Sequence, residues 1–280
     1  MKTKIIFSDK CLGYGLWHVE GPARIKVAYE ILKEKGYQFL EPKPVTENDV
    51  FKVHNAEYLW NLKKGLVEDS DTEAYENIYE YAKISAGGAI LASDVNGFSL
   101  TRPPGHHAGV NGAALGASTR GFCYLNNIAI AISRLDKQSL ILDIDGHHGN
   151  GTQEIFMNNN KVTYISIHRS PHYPGTGYNS EKNYLNFPLN AECGDDQYLE
   201  TLDKALKKVD TKKTEVVGVS AGFDTHSGDL ASLGLTEKCY KQIGKKIASL
   251  NKQTFFVLEG GYVGRNVGRD IDQLLIGFEQ

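Results

Sequence analysis

The stretch ILDIDGHHGNGT, residues 141–152, decides how this chain is read. It follows an apolar, β-branched run and places Asp143, Asp145, His147 and His148 within six positions. An unpaired charge at the end of a buried strand costs on the order of several kcal/mol to desolvate, so such a cluster requires compensation, and a bound cation provides it. Side chains alternate faces along a strand, so Asp143, Asp145 and His147 point the same way if the extended conformation continues through them. Asp145 and His147 would then hold one ion, with Asp143 behind them. A third ligand has to come from elsewhere, and Asp224, at the end of VVGVSAGFD (216–224), is the candidate. Two carboxylates and one imidazole leave a position open for water or substrate, as a catalytic zinc site requires. The plain structural alternative is an ordinary helix cap at Asp145 and a turn at Asp224.

Outward from this stretch, short apolar runs alternate with segments of helical period, the pattern of parallel strands joined by crossover helices. Strands are expected at 4–8, 97–102, 139–145, 162–168, 215–223 and 254–261. Helices are expected at 22–35, 56–65, 75–93, 126–135, 196–209, 236–250 and 266–279, with Pro22 and the Thr236-Glu237 pair marking two of the starts. Polar clusters follow four of the strands: 143–148, His168 onward, 224–226 and 259–262. In open parallel sheets ligands gather outside the carboxyl ends of the strands, so these segments are expected to meet. No linker or repeat divides the chain, and a single α/β domain over 1–280 is expected.

Composition narrows the function. With 31 Lys and Arg against 34 Asp and Glu, the formal charge is −3, which disfavours nucleic acid as a partner. The four cysteines (11, 123, 193 and 239) have no C-x-x-C spacing, which argues against a disulfide framework and a thiolate metal site. Cys123 reads as a small buried hydrophobe. No signal-peptide core and no membrane span is evident, so a cytoplasmic protein is the expectation. The acidic stretch 67–81 reads as a solvated loop and helix face.

Two further motifs carry chemistry. RPPGHHAG (102–109) places His106 and His107 in a Gly/Pro-rich loop, where one imidazole can act as a general base and the other be kept charged by a carboxylate such as Asp143. Tyr262, after LEGG, can donate a hydrogen bond to an oxyanion. A packing role is the alternative for one tyrosine among 15.

RPPGHHAG, GFCYLNNIAIA (121–131), ILDIDGHHGNGT, SIHRSPHYPGTG (166–177), SAGFDTHSGD (220–229) and LEGGY (258–262) together resemble, in order, the metal-dependent histone deacetylase family. That family includes prokaryotic amidohydrolases, acetylpolyamine amidohydrolases and acetoin-utilisation proteins. The likeness runs from about 18 to 262, and RPP, Asn150 and Glu259 resemble the branch containing the class II enzymes. It implies an arginase-deacetylase fold, a central and mostly parallel sheet flanked by helices with the site at the carboxyl ends of the strands. It also implies Asp145, His147 and Asp224 as metal ligands, His106, His107 and Tyr262 as catalytic groups, and Asp143 and Asn150 as partners of the two histidines. Phe122, Tyr173, Gly121, Leu230 and Ala231 would line a substrate tunnel, and Arg24 an acetate cavity. A structural K+ would sit at Asp143, Asp145, His147, Ser166 and Ile167, with a second monovalent ion near Phe156, Asn159 and Val162.

The chain is short for the family, so trimmed rim loops and a wide mouth are expected. At the position where polyamine-selective relatives carry an acidic gatekeeper, this chain has Leu230 or Ala231. The resemblance implies hydrolysis of an acetylated primary amine, either acetyl-lysine or a small acetylated amine. Zinc is the expected metal, with Fe2+ or Co2+ as alternatives. Readings from other classes are a binuclear manganese ureohydrolase, which needs additional carboxylates, and a non-catalytic acetyl-ligand binding protein. Oligomeric state is left open.

Overall fold

The computed structural model describes residues 2–280. Eight strands form one parallel sheet: β1 Ile5–Ile6, β2 Phe39–Leu40, β3 Phe98–Ser99, β4 Ser139–Asp143, β5 Val162–Arg169, β6 Tyr184–Leu189, β7 Val216–Ala221 and β8 Gln253–Leu258. Their spatial order is β2-β1-β3-β8-β7-β4-β5-β6. The central strands are apolar on both faces, as a parallel sheet covered by helices demands. Alternate residues feed two cores. Leu140, Leu142, Val217, Val219, Phe256 and Leu258 pack toward helices α1 (Ala23–Glu34), α7 (Gly194–Leu206), α8 (Glu237–Ala248) and α9 (Gly264–Phe278). Ile141, Tyr164, Val216, Phe255 and Val257 face the other way, toward α4 (Ile78–Val95) and α5 (Asn127–Leu135).

All six expected strands are present, though several are shorter. β2 and β6 were not foreseen. Both lie at sheet edges, β2 has two residues, and β6 contains Pro188, a residue tolerated in a strand mainly at an edge. Thr236 stands at the start of α8 without capping it, because its hydroxyl donates to Asp195 at 2.6 Å. Among the described residues no helix is long and apolar enough to cross a membrane.

The order of the sheet explains why distant motifs meet. β3, β8, β7, β4 and β5 are consecutive neighbours. The carboxyl ends of these strands, and the loops that leave them, carry the 102–109 histidines, Glu259–Tyr262, Asp224, the 143–148 cluster and His168, respectively.

Candidate active site

The strand expected over 139–145 ends at Asp143, so the condition that the chain stays extended through His147 is not met. Aspartate side chains bonding to backbone two residues on favour a turn over a ladder. Asp143 Oδ1 accepts the N–H of Asp145 at 3.1 Å, and Asp145 Oδ1 accepts that of His147 at 2.8 Å. The turn is closed from both neighbouring loops. Gly146 N–H donates to Asp224 Oδ1 at 2.8 Å, and Gly260 N–H donates to Asp145 Oδ2 at 2.7 Å. Gly260 has to be glycine, because a Cβ there would stand 2.5 Å from Asp224 Oδ2.

Asp145, His147 and Asp224 thereby offer ligand atoms that all lie within 4.8 Å of one another, and all three residues are buried. Asp224 Oδ2 makes no hydrogen bond, although His147 Nδ1 is 2.8 Å away. A buried carboxylate oxygen left without a donor is what a metal ligand looks like before its ion is added. Burial and the neighbouring Asp145 charge push the Asp224 carboxyl up to about 6. Burial opposes charge on His147, yet the Asp224 and Asp145 carboxylates push it up to about 10. A proton there occupies the lone pair that a cation would use. Two carboxylates and an imidazole, buried and converging, fit a divalent ion with open coordination positions.

The second histidine pair lies alongside. His106 Nδ1 is 3.1 Å from Asp143 Oδ2, which also accepts the Tyr164 hydroxyl at 2.9 Å. Although desolvation would lower it, Asp145 and Asp143 push His106 up to about 10. His107 Nδ1 is 2.7 Å from Asn150 Oδ1. The Asn150 amide donates to the Ala114 carbonyl at 2.8 Å, which turns its oxygen toward His107. Nδ1 is therefore the protonated nitrogen of a neutral His107, and Nε2 carries the lone pair. Burial, reinforced by the charges of His106 and His147, holds His107 well below its ordinary value.

The His107 ring centre is 6.0 Å from that of His147 and 5.1 Å from that of Tyr173. Tyr262 packs edge-on to Phe122 at 5.9 Å, and the Arg24 guanidinium sits 4.7 Å over its ring. Burial keeps the Tyr262 phenol well above its ordinary value, so it is an O–H donor. Arg24 itself is buried, paired with Glu20 at 2.7 Å, and donates to the carbonyls of Glu259 and Gly261.

Phe122 has φ +70° and Gly121 φ +50°. A Cβ on Gly121 would lie 2.4 Å from the His107 ring, so only glycine lets this wall approach the histidine. Ala231 corrects an expectation. It is completely buried and packs under Gly146, where it cannot line a tunnel, whereas Leu230 is 47% exposed. Asp143 and Ser166 are partners in the β4–β5 register, with Ile167 buried beside them. Ser166 Oγ lies 2.9 Å from His168 Nδ1. Phe156, Asn159 and Val162 line a surface cavity of about 270 Å³ that Lys52, Asp136, Lys137 and Lys161 also line.

Sequence reasoning assigned no role to several residues that shape this site. The His172 ring packs at a tilt against His147, ring centres 5.0 Å apart, and Tyr164 holds Asp143 from a strand otherwise read as core. The acidic stretch is more than a solvated face. Asp69 pairs with Arg120 at 3.0 Å, Asp71 accepts the Thr119 hydroxyl at 2.6 Å, and Thr119 in turn bonds the Tyr173 hydroxyl at 3.0 Å. These contacts brace the aromatic wall. Glu259, noted only as a mark of the class II-like branch, accepts the backbone N–H groups of Gly105 and His106.

A parallel sheet of this order, with a buried Asp-His-Asp cluster and flanking histidines at its carboxyl edge, defines a hydrolase of the arginase-deacetylase fold. Residues 18–277 match the histone deacetylase domain, and the chain belongs to that family. A probable deacetylase of Archaeoglobus fulgidus is 37% identical, over 94% of this chain and 82% of its own length. The HDA15 HD domain superposes with a TM-score of 0.88 at 30% identity, covering 98% of this chain and 90% of that one. An acetylpolyamine aminohydrolase from Burkholderia pseudomallei gives a TM-score of 0.89 at 25% identity, covering 99% and 98%. The chain is accordingly a hydrolytic deacetylase.

Proposed function

We propose that this deacetylase is a single-metal, zinc-dependent enzyme that removes acetyl groups from lysine side chains of peptides or proteins. The observation that carries the reading is the buried cluster of Asp145, His147 and Asp224, with the unsatisfied Asp224 oxygen turned into it and the neutral His107 ring beside it. Zinc held by these three residues would polarise the acyl carbonyl and acidify water. His107 Nε2 would take a proton from the attacking water and return it to the departing amine. Asn150 keeps its tautomer correct. His106, charged against Asp143, stabilises negative charge developing nearby, and the Tyr262 O–H donates to the oxyanion.

Phe122 and Tyr173 would confine the methylene stem of the substrate, and Arg24 holds the backbone on which Tyr262 stands. A structural K+ at Asp143, Ser166 and the carbonyls of Asp145, His147 and Ile167 would offset part of the buried negative charge. The described residues offer one ligand cluster, which supports one catalytic ion over a binuclear ureohydrolase site. The apolar, exposed Leu230 at the gatekeeper position favours acetyl-lysine over an acetylated polyamine, whose remaining ammonium groups call for an acidic partner.

The test is an assay of metal-free and zinc-reconstituted protein on acetyl-lysine peptides, acetylated polyamines and longer acyl-lysines. Zinc at one equivalent should restore activity, with kcat/KM highest for acetyl-lysine. Activity that survives chelation would refute the metal reading, and a preference for acetylpolyamines would refute the substrate assignment.

A further inference from the structure

The structure assigns to Glu259 the role of a positioning residue, locking the catalytic histidine loop to the end of β8; this rests on the function proposed above. The side chain is completely buried. Its Oε2 accepts from Gly105 N–H at 2.7 Å and His106 N–H at 3.1 Å, and its Oε1 accepts from the Ser220 hydroxyl at 3.3 Å. A buried carboxylate usually faces a cationic side chain. This one spends its strongest acceptor on two successive backbone donors.

Those donors matter because residues 102–107 belong to no helix or strand, so their buried N–H groups need partners from elsewhere. Other contacts hold the carbonyls of the same loop. Asn127 Nδ2 donates to the Pro103 carbonyl at 3.0 Å, Thr152 N–H to that of His106 at 3.0 Å, and Asn126 Nδ2 to that of Ala108 at 3.0 Å. Glu259 takes the N–H side of the peptides at the dyad itself. It therefore sets the height from which His106 reaches Asp143 and His107 reaches Asn150.

Consecutive residues of the same segment reach other parts of the site. Gly260 N–H holds the Asp145 carboxylate, the Gly261 carbonyl is held by Arg24, and Tyr262 packs edge-on to Phe122. One short turn thus sets the histidines, a metal ligand and the phenol in register with one another. Misplacing reacting groups by about 1 Å can cost roughly 10²-fold in rate.

Two substitutions separate position from charge. Glu259→Gln keeps an oxygen where both N–H groups need it and gives Ser220 an amide to pair with, but removes the charge. Glu259→Asp keeps the charge and withdraws the acceptor by one methylene. For positioning, zinc-loaded E259Q should keep kcat near wild type, whereas E259D should lose about 10-fold or more in kcat with KM little changed. Hydrogen exchange measured by mass spectrometry over 103–108 should stay slow in E259Q and become fast in E259D. The assignment is overturned if E259D matches or exceeds E259Q in kcat, or if neither variant changes exchange in that loop. The exchange measurement needs no turnover, so it stands even if the wild-type protein fails to hydrolyse acetyl-lysine.

Discussion

The dipeptide His-His occurs twice, on the loop after β3 and on the loop after β4, and the two copies are built to different ends. All four rings are buried, with exposures of 8% or less. Burial alone lowers every imidazole. Yet His106 and His147 are pushed up to about 10, while His107 is held well below its ordinary value and His148 falls to about 3. The partner decides. His106 and His147 face Asp143, Asp145 and Asp224, whereas His107 faces an amide, Asn150, and His148 bridges Thr176 and Gln153 at 2.8 Å each. Two neutral rings with similar chemistry therefore end in different places. His107 stands against the ligand cluster, and His148 packs at a tilt against His168, ring centres 4.8 Å apart, inside the fold.

The sharpest way to break this comparison is to remove the neutral ring from each pair. His107→Ala should lower kcat by roughly 10²–10⁴-fold, the usual worth of a general acid–base group. His148→Gln should leave kcat near wild type and lower thermal stability instead. Steady-state kinetics and melting curves on zinc-loaded protein decide the matter, and comparable losses of kcat in both variants would mean that His107 has no special chemical role.

A subtler change gives His107 the partner type that His106 already has. Asn150→Asp would place a carboxylate against His107 Nδ1 and raise its pKa, by about 1–3 units if an ordinary ion pair forms. With His107 as the proposed neutral base, activity should disappear as pH falls through that pKa. In the wild-type protein this acid limb should lie below the ordinary imidazole value of about 6.5. In the Asn150→Asp variant it should move upward, toward neutrality. The pH profile of kcat checks the direction, and an unmoved limb would mean that another group controls it.

These pairs also mark how far the sequence could be read. Asp143, Asp145, His147 and Asp224 were legible because charged residues directly behind apolar strands are costly unless something gathers them, and strand ends gather in parallel sheets. How they gather was not legible. The strand expected over 139–145 gives way after Asp143 to side-chain-to-backbone turns, a local competition that residue alternation does not register. Glu259 depends on β3 lying beside β8, and Tyr164 depends on β5 lying beside β4. Neither pairing is encoded near the residue concerned. The same holds for Ala231, whose burial under Gly146 follows from where the chain goes after β7. β2 and β6 escaped because edge strands need neither length nor uninterrupted apolar character.

His54 extends the comparison to a buried imidazole with no carboxylate and no chemical role. Its Nδ1 lies 2.9 Å from the Gly109 carbonyl, and its Nε2 accepts Asn126 N–H at 2.9 Å, so both nitrogens are committed to the neutral form. Burial pulls it down to about 4. An unfolded chain protonates the same ring near pH 6.5, so between 6.5 and 4 the unfolded state binds more protons and stability falls as pH falls. The contribution is fully present above pH 6.5 and is reduced by on the order of 2 kcal/mol at pH 5. Because His148 and His168 act in the same direction, the measurement must be differential. Urea unfolding at pH 7 and pH 5 should show a smaller loss of stability in His54→Gln than in the wild-type protein. Equal losses would mean that the ring is already protonated in the fold, and that the absence of a carboxylate is not enough to keep a buried histidine neutral here.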